Sequence, residues 1–161
     1  MILVASLAKP DPVERRNARL VLEVIGEPAV PHLIFELRDP AARVREEAIK
    51  ALGAIADSHA IPALIEALED PNSTCRWCAA EALVGMGEEA LIPLLKILET
   101  GADSTWLRRG VHHVLKGMMR FNPDALAPVL RAFLSEIPEI DVPKAAVKAR
   151  VVLEQGSLEH S

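Results

Sequence analysis

Tyrosine is absent from the 161-residue sequence, and aromatic side chains make up only 3% of it. A core without aromatic bulk has to be built from Ala, Leu, Ile and Val, which suits closely packed helices. Cysteine occurs twice. A chain of this length buries a continuous core without disulfide or metal staples, so neither cysteine is needed structurally, and so low a count fits a reducing compartment. Long apolar runs are also missing: the opening "MILVASLAK" is too short for a membrane span and lacks the basic region of a signal peptide, so a soluble, cytoplasmic protein with no membrane partner is expected. There is no excess of positive charge, with 18 Lys and Arg against 23 Asp and Glu and a formal net charge of −5. Residues 1–99 carry 10 basic and 16 acidic side chains and residues 100–161 carry 8 and 7, so neither half is built to follow a phosphate backbone and nucleic acid is disfavoured as a partner. No glycine-rich phosphate loop and no nucleophile with His and acid partners occurs. No catalytic, metal or cofactor site is expected, no cofactor, and no small-molecule substrate.

What is present is an internal repeat. An Arg is followed by Ala or Val three residues on, an aliphatic residue or Ala six on, Leu seven on and an aliphatic residue or Met ten on. The copies are Arg15, Ala18, Val21, Leu22, Ile25; Arg45, Ala48, Ala51, Leu52, Ile55; Arg76, Ala79, Ala82, Leu83, Met86; and Arg108, Val111, Val114, Leu115, Met118. Those offsets put the apolar residues on one side of a 3.6-residue helix, called A here. A second helix, B, follows in each copy, with core positions Leu33, Ile34, Leu37; Leu64, Ile65, Leu68; Leu94, Leu95, Leu98; and Val129, Leu130, Phe133. Pro31, Pro62, Pro93 and Pro128 sit just before them, as expected of a first helical turn, where no donor is lost.

Gly26 and Gly87 follow the last apolar residue of their A helices, where a left-handed residue ends a helix. In the fourth copy "RFNPD", residues 120–124, lengthens the turn from A to B. Asp39-Pro40 and Asp70-Pro71 mark repeat boundaries, Asp as helix cap and Pro as first-turn residue. "LVASLAKPDP", residues 3–12, reads as the tail of a B helix, and "VPKAAVKARVVLE", residues 142–154, as a final A helix without its B partner. Half-repeats of this kind close a solenoid. One repeat domain over residues 1–154 is expected, all-α, a right-handed α-α superhelix of about four helical hairpins; residues 155–161 have no pattern and read as a disordered tail of the kind a cloning vector adds.

The units "DPAARVREEAIKALGAIADSHAIPALIEAL" and "DPNSTCRWCAAEALVGMGEEALIPLLKIL" resemble HEAT repeats of the short class, about 30 residues long, found in phycobilisome lyases. The resemblance implies a ladder between repeats made by an Asp at the repeat start and an Arg six residues later. Asp39 with Arg45 and Asp70 with Arg76 have that spacing; Asp103 with Arg108 is one short and Asp11 with Arg15 two short. Such a ladder combines charge-assisted hydrogen bonds with helix-start donors.

The repeat also arbitrates "TCRWCAAEAL", residues 74–83. Cys75 falls where Val44 and Leu107 fall, an inward position, and Cys78 where Glu47 and Gly110 fall, toward the outside. Free cysteine packs as a small hydrophobe. Zinc would need two more ligands, and the consecutive His112 and His113 point about 100° apart on a helix. The iron-holding His-Glu pairs of some HEAT-repeat enzymes do not occur. Trp77 aligns with the solvent-type residues Arg16, Glu46 and Arg109 and is either a contact patch or ordinary surface, while Trp106 reads as cover for the lengthened boundary before it. B helices line the concave side of a HEAT stack, and the row two residues after the first core Leu is Phe35, Glu66, Lys96 and Arg131, flanked by His32, Glu36 and Ile97. A mixed row with one aromatic anchor suits a protein surface better than a nucleic-acid groove; the alternative is an ordinary solvated face.

The function expected from this is a non-enzymatic scaffold binding a protein partner through His32, Phe35, Glu66, Lys96, Arg131 and Trp77. The alternative, implied by the resemblance alone, is a phycobilin lyase-like role in bilin attachment or detachment. DNA-base glycosylase work, as in some HEAT-like enzymes, is opposed by the mixed B row and the acidic first half.

Overall fold

In a computed structural model, the structure describes residues 2–100 and 104–159. It is all helical among them: α1 Ile2–Ala5, α2 Pro12–Ile25, α3 Val30–Glu36, α4 Ala42–Ile55, α5 Ile61–Glu66, α6 Ser73–Met86, α7 Leu91–Glu99, α8 Thr105–Met118, α9 Pro123–Ala132 and α10 Pro138–Glu159. The A pattern corresponds to α2, α4, α6, α8 and α10 and the B pattern to α3, α5, α7 and α9. An all-α, HEAT-like repeat fold is therefore what the repeat produces. The chain divides into two compact units, Met1–Met86 and Gly87–Ser161, where a single domain was expected.

In the first unit α4 packs against α2, α3 and α6, and α6 packs against α5 and the 3-10 turn that continues it, Ala67–Glu69. Val44, Ala48, Ala51 and Leu52 of α4 are buried, as are Cys75, Ala79, Ala82 and Leu83 of α6. Both sets lie at the repeat's own offsets. Small side chains let α4 and α6 approach so closely that a Cβ on Gly53 would stand 2.7 Å from the Ala82 Cβ. α2 departs from the pattern: Val21 and Ile25 are 45% and 44% exposed although Ala51 and Ala82, the equivalents of Val21, are buried. α2 has a full-length A helix, α4, on only one flank, and periodicity is blind to which flank is covered.

The second unit holds the other departures. α10 packs against both α7 and α9, burying Val142, Ala146 and Ala149, so the A-type helix expected to lack a B partner takes two. Arg150 Nε and Nη2 donate to Glu99 Oε1 and Oε2 at the end of α7, at 2.6 and 3.2 Å. The helix continues through Gly156 to Glu159, so residues 155–159, expected as a patternless tail, are helical in backbone; extending an anchored helix adds a hydrogen bond with each residue fixed. Pro128 is not a first-turn residue: α9 starts earlier, with Pro123 first, and Pro128 lies inside it. The inserted "NPD" supplies that earlier start instead of only lengthening a turn.

Helix ends also follow the repeat, with one substitution. Gly26 and Gly87 take φ +73° and +65°, and the second copy puts Ala56 at the same place, at φ 56° and ψ 36°. Its N–H donates to Leu52 O at 3.0 Å, the bond that closes a left-handed cap. A Cβ in that region costs about 1–2 kcal/mol, against which glycine's extra freedom when unfolded costs about 0.5–1. Ala56→Gly should therefore stabilise the protein by about 0.5–1 kcal/mol, read as a higher urea midpoint at unchanged slope.

Candidate protein-binding face and groove

The ladder is built differently from the spacing rule. Arg45 Nη1 donates to the main-chain carbonyls of Asp39 and Pro40, at 2.8 and 3.2 Å, and its Nε and Nη2 donate to Asp70 Oδ2 and Oδ1, at 2.7 and 2.8 Å. One guanidinium thus holds its own linker through carbonyls and the next repeat's linker through a two-pronged ion pair. Arg76 Nη1 repeats the first half on the carbonyls of Asp70 and Pro71, at 2.7 and 3.2 Å. Arg15 Nη1 does the same on Lys9 and Pro10, at 2.8 and 2.7 Å. The six-residue spacing therefore reports a carbonyl grip, and the carboxylate rung crosses to the following repeat. Asp103 lies outside the described residues. Arg108 Nη1 instead donates to Glu139 Oε1 of α10, at 3.1 Å, a rung no Asp-to-Arg spacing could reveal.

The capping roles are redistributed as well. Asp11 caps α2 by accepting from Val13 N–H at 2.9 Å. Asp39 and Asp70 were expected to cap α4 and α6, but each accepts from the residue two on, Ala41 and Asn72, both at 2.7 Å. These are turns ahead of the helix. At α6 the cap is Asn72, whose Oδ1 accepts from Thr74 and Cys75 N–H. Burial pushes the Asp70 carboxyl toward a higher pKa, but the Arg45 and Asn72 donors outweigh it and the net shift is downward. Arg45 is pushed upward, by its hydrogen bonds to Asp70 above all.

A groove of about 620 Å³ lies over this rung. One wall is the end of α3, with Ile34, Leu37 and Arg38; the other is α5 and its continuation, with Pro62, Ala63, Glu66 and Ala67. Asp39, Arg45 and Asp70 close one end, beside Glu69 and His59. It exists because Ala63 and Ala67 are small where the preceding copy has His32 and Glu36 and the following copy Pro93 and Ile97. Ile34 and Leu37, expected in the core, are consequently only part-buried while Leu33 is fully buried. The alignment carried that size signal; a search for functional side chains passes over alanine.

Phe35, next to the groove on α3, is 73% exposed, and His32, Glu66, Lys96 and Arg131 are exposed too. His32, Phe35 and Glu66 belong to the first unit, Lys96 and Arg131 to the second. Trp77 on α6 is 57% exposed and Trp106 on α8 is 47% exposed. Cys75 is fully buried and its Sγ donates to Ala42 O at 3.4 Å; burial first, then Asp70, pushes its thiol up to about 11. Cys78 is part-buried and also pushed upward, chiefly by burial. A thiol held protonated is a poor nucleophile and a poor metal ligand. His112 packs edge-on against Phe133 with ring centroids 5.1 Å apart, and burial favours its neutral form. Among the described residues no cluster of three or more His, Cys, Asp or Glu side chains is arranged to hold a metal, and no helix is long and apolar enough to cross a membrane.

Comparison with known proteins agrees with this geometry. A family model described as HEAT repeats matches residues 30–116, more than half of the chain. A search of curated protein sequences found no match. Among solved structures, a chain of the complex of CpcE and CpcF of phycocyanin lyase from Nostoc sp. PCC7120 is similar at 24% identity and a TM-score of 0.62, covering 92% of this chain and 96% of that one. A designed armadillo repeat protein in complex with the peptide (KR)4 is similar at 19% identity and a TM-score of 0.42, covering 92% of this chain and 79% of that one. With the repeat period, the paired A and B helices and the arginine-held linkers all matched by that model, the chain belongs to the HEAT-repeat family.

Proposed function

We propose that this chain is a non-enzymatic interaction module of the cytoplasm that binds a protein partner on the B-helix face of its first unit, with Phe35 as apolar anchor. The observation that carries this is the exposure of Phe35, 73%, in a protein with three Phe, two Trp and no Tyr. An aromatic side chain left in water beside a groove is a source of binding energy, because its burial on association removes apolar area from solvent. His32 and Glu66 supply polar contacts beside it, and Lys96 and Arg131 extend the same row of the repeat in the second unit. Trp77 offers a separate contact on an A helix.

The test is Phe35→Ala. Its melting temperature should stay within a degree or two of the parent, since no core contact is removed. Affinity for the protein captured from the native host and identified by mass spectrometry should fall by about 1 kcal/mol or more, roughly fivefold. Marked destabilisation would make Phe35 a packing residue; unchanged affinity with unchanged stability would move the binding surface to Trp77.

A second reading, phycobilin lyase-like action in bilin attachment or detachment, is favoured by the likeness to the CpcE and CpcF complex along nearly the whole of both chains. Its mark would be a visible-light absorbance that co-purifies with the protein from a bilin-producing host.

A further inference from the structure

We propose that the groove between α3 and α5 seats an extended, positively charged segment of the partner protein, its Lys or Arg side chains meeting Asp39, Glu66 and Glu69 and its small apolar side chains lying on Ala63 and Ala67. This rests on the interaction reading above and gives that partner a chemistry. The charge balance of the lining carries it. Arg45 and Asp70 neutralise one another. What remains is three carboxylates, Asp39, Glu66 and Glu69, against one guanidinium, Arg38, and neither Glu66 nor Glu69 makes an ion pair among the described residues.

Glu36, beside the groove, has its carboxyl pushed upward by burial and then by Asp39, so negative charge is already crowded at this edge. A cationic segment relieves that crowding. An anionic one adds to it, and a purely apolar one would desolvate carboxylates without pairing them. Nucleic acid is excluded by the same sign. Size points the same way: a volume of about 620 Å³ accommodates a few side chains of an extended peptide. The two alanines make a shallow apolar floor on which the stem of a Lys or Arg can lie with its charge at the rim.

The experiment titrates the 15N-labelled protein with acetyl-(Lys-Val)4-amide and, separately, acetyl-(Glu-Val)4-amide, following amide shifts. Shifts should move for the Lys-Val peptide and concentrate in residues 34–39 and 63–70, and the Glu-Val peptide should leave them unmoved. Glu66→Lys with Glu69→Lys should weaken the Lys-Val peptide at least tenfold, and Ala63→Leu, which fills the floor, at least fivefold, both with spectra as dispersed as the parent's. Equal binding of the two peptides, shift changes confined to other surfaces, or charge-reversed protein that binds as before would each overturn the proposal. Capture of the native partner separates it from the interaction reading. A partner that depends on Phe35 and ignores Ala63→Leu and the charge reversal removes the groove alone, whereas a host lysate that yields no Phe35-dependent protein removes the interaction reading itself.

Discussion

Asp70→Ala is expected to lower the unfolding free energy by about 3 kcal/mol, the cost of leaving a partly buried charge without its partner. The side chains of Arg45 and Asp70 are 11% and 7% exposed, so water cannot replace the lost carboxylate well. The loss includes the turn bond to Asn72 N–H. Asp39→Ala is the control: the same Asp-Pro motif, but its carboxylate accepts only from Ala41 N–H among the described residues, and its removal should cost about 1 kcal/mol. Acid provides a second check. The folded pKa of Asp70 lies below the ordinary carboxylate value, so its contribution is complete above a pH of about 4 and is lost as the pH falls through the folded pKa. The gap between parent and Asp70→Ala, measured by urea unfolding, should hold from neutrality to that point and narrow below it. A gap unchanged down to pH 2 would mean that packing, not charge, is the cause.

Gly53→Val should cost a similar amount, about 3 kcal/mol, at the upper end of what overpacking costs. An added Cβ would stand 2.7 Å from the Ala82 Cβ and 3.1 Å from its Cα, so part of the obstruction is backbone and α4 and α6 would have to separate. Helix propensity alone argues the reverse, favouring Ala over Gly by about 1 kcal/mol. Even Gly53→Ala should therefore destabilise the protein, and Ala82→Gly in the same chain should recover most of the loss by vacating the contact. Gly85 is the comparison, a helical glycine with nothing within 4 Å of an added Cβ, where substitution by Ala should be neutral or mildly stabilising. Should Gly53→Ala behave like Gly85→Ala, the close approach of the two helices does not limit stability.

The helices were legible because every A helix between two others has the same surroundings, and the same surroundings select the same residue types. That is why Ala48, Leu52, Ala79 and Leu83 could be placed in the core from offsets alone. Where surroundings differ, the pattern misleads. Val21 and Ile25 carry the core signature but lie on a flank of α2 that α4 does not cover, and Pro128 carries the first-turn signature inside a helix that begins five residues earlier. The Asp and Arg positions were legible while their pairing was not, because spacing along one repeat says nothing of a bond to the next. In the candidate site, Phe35 stood out as an aromatic residue in a charged row. The groove beside it did not, since it is made by two side chains being small.

The grip of Arg15, Arg45 and Arg76 on main-chain carbonyls has an evolutionary consequence. A carbonyl is the same whatever residue bears it, so these arginines place no demand on the side chains of the linkers they hold. Lys9-Pro10 lies under Arg15 as Asp39-Pro40 lies under Arg45, with opposite charge and the same bonds. Linker side chains can thus drift through mutation at little cost to the fold, and where they border the groove, as Asp39 and Pro40 do, that drift can retune recognition. Inheritance is strict only for the guanidinium, whose fork of donors lysine cannot reproduce.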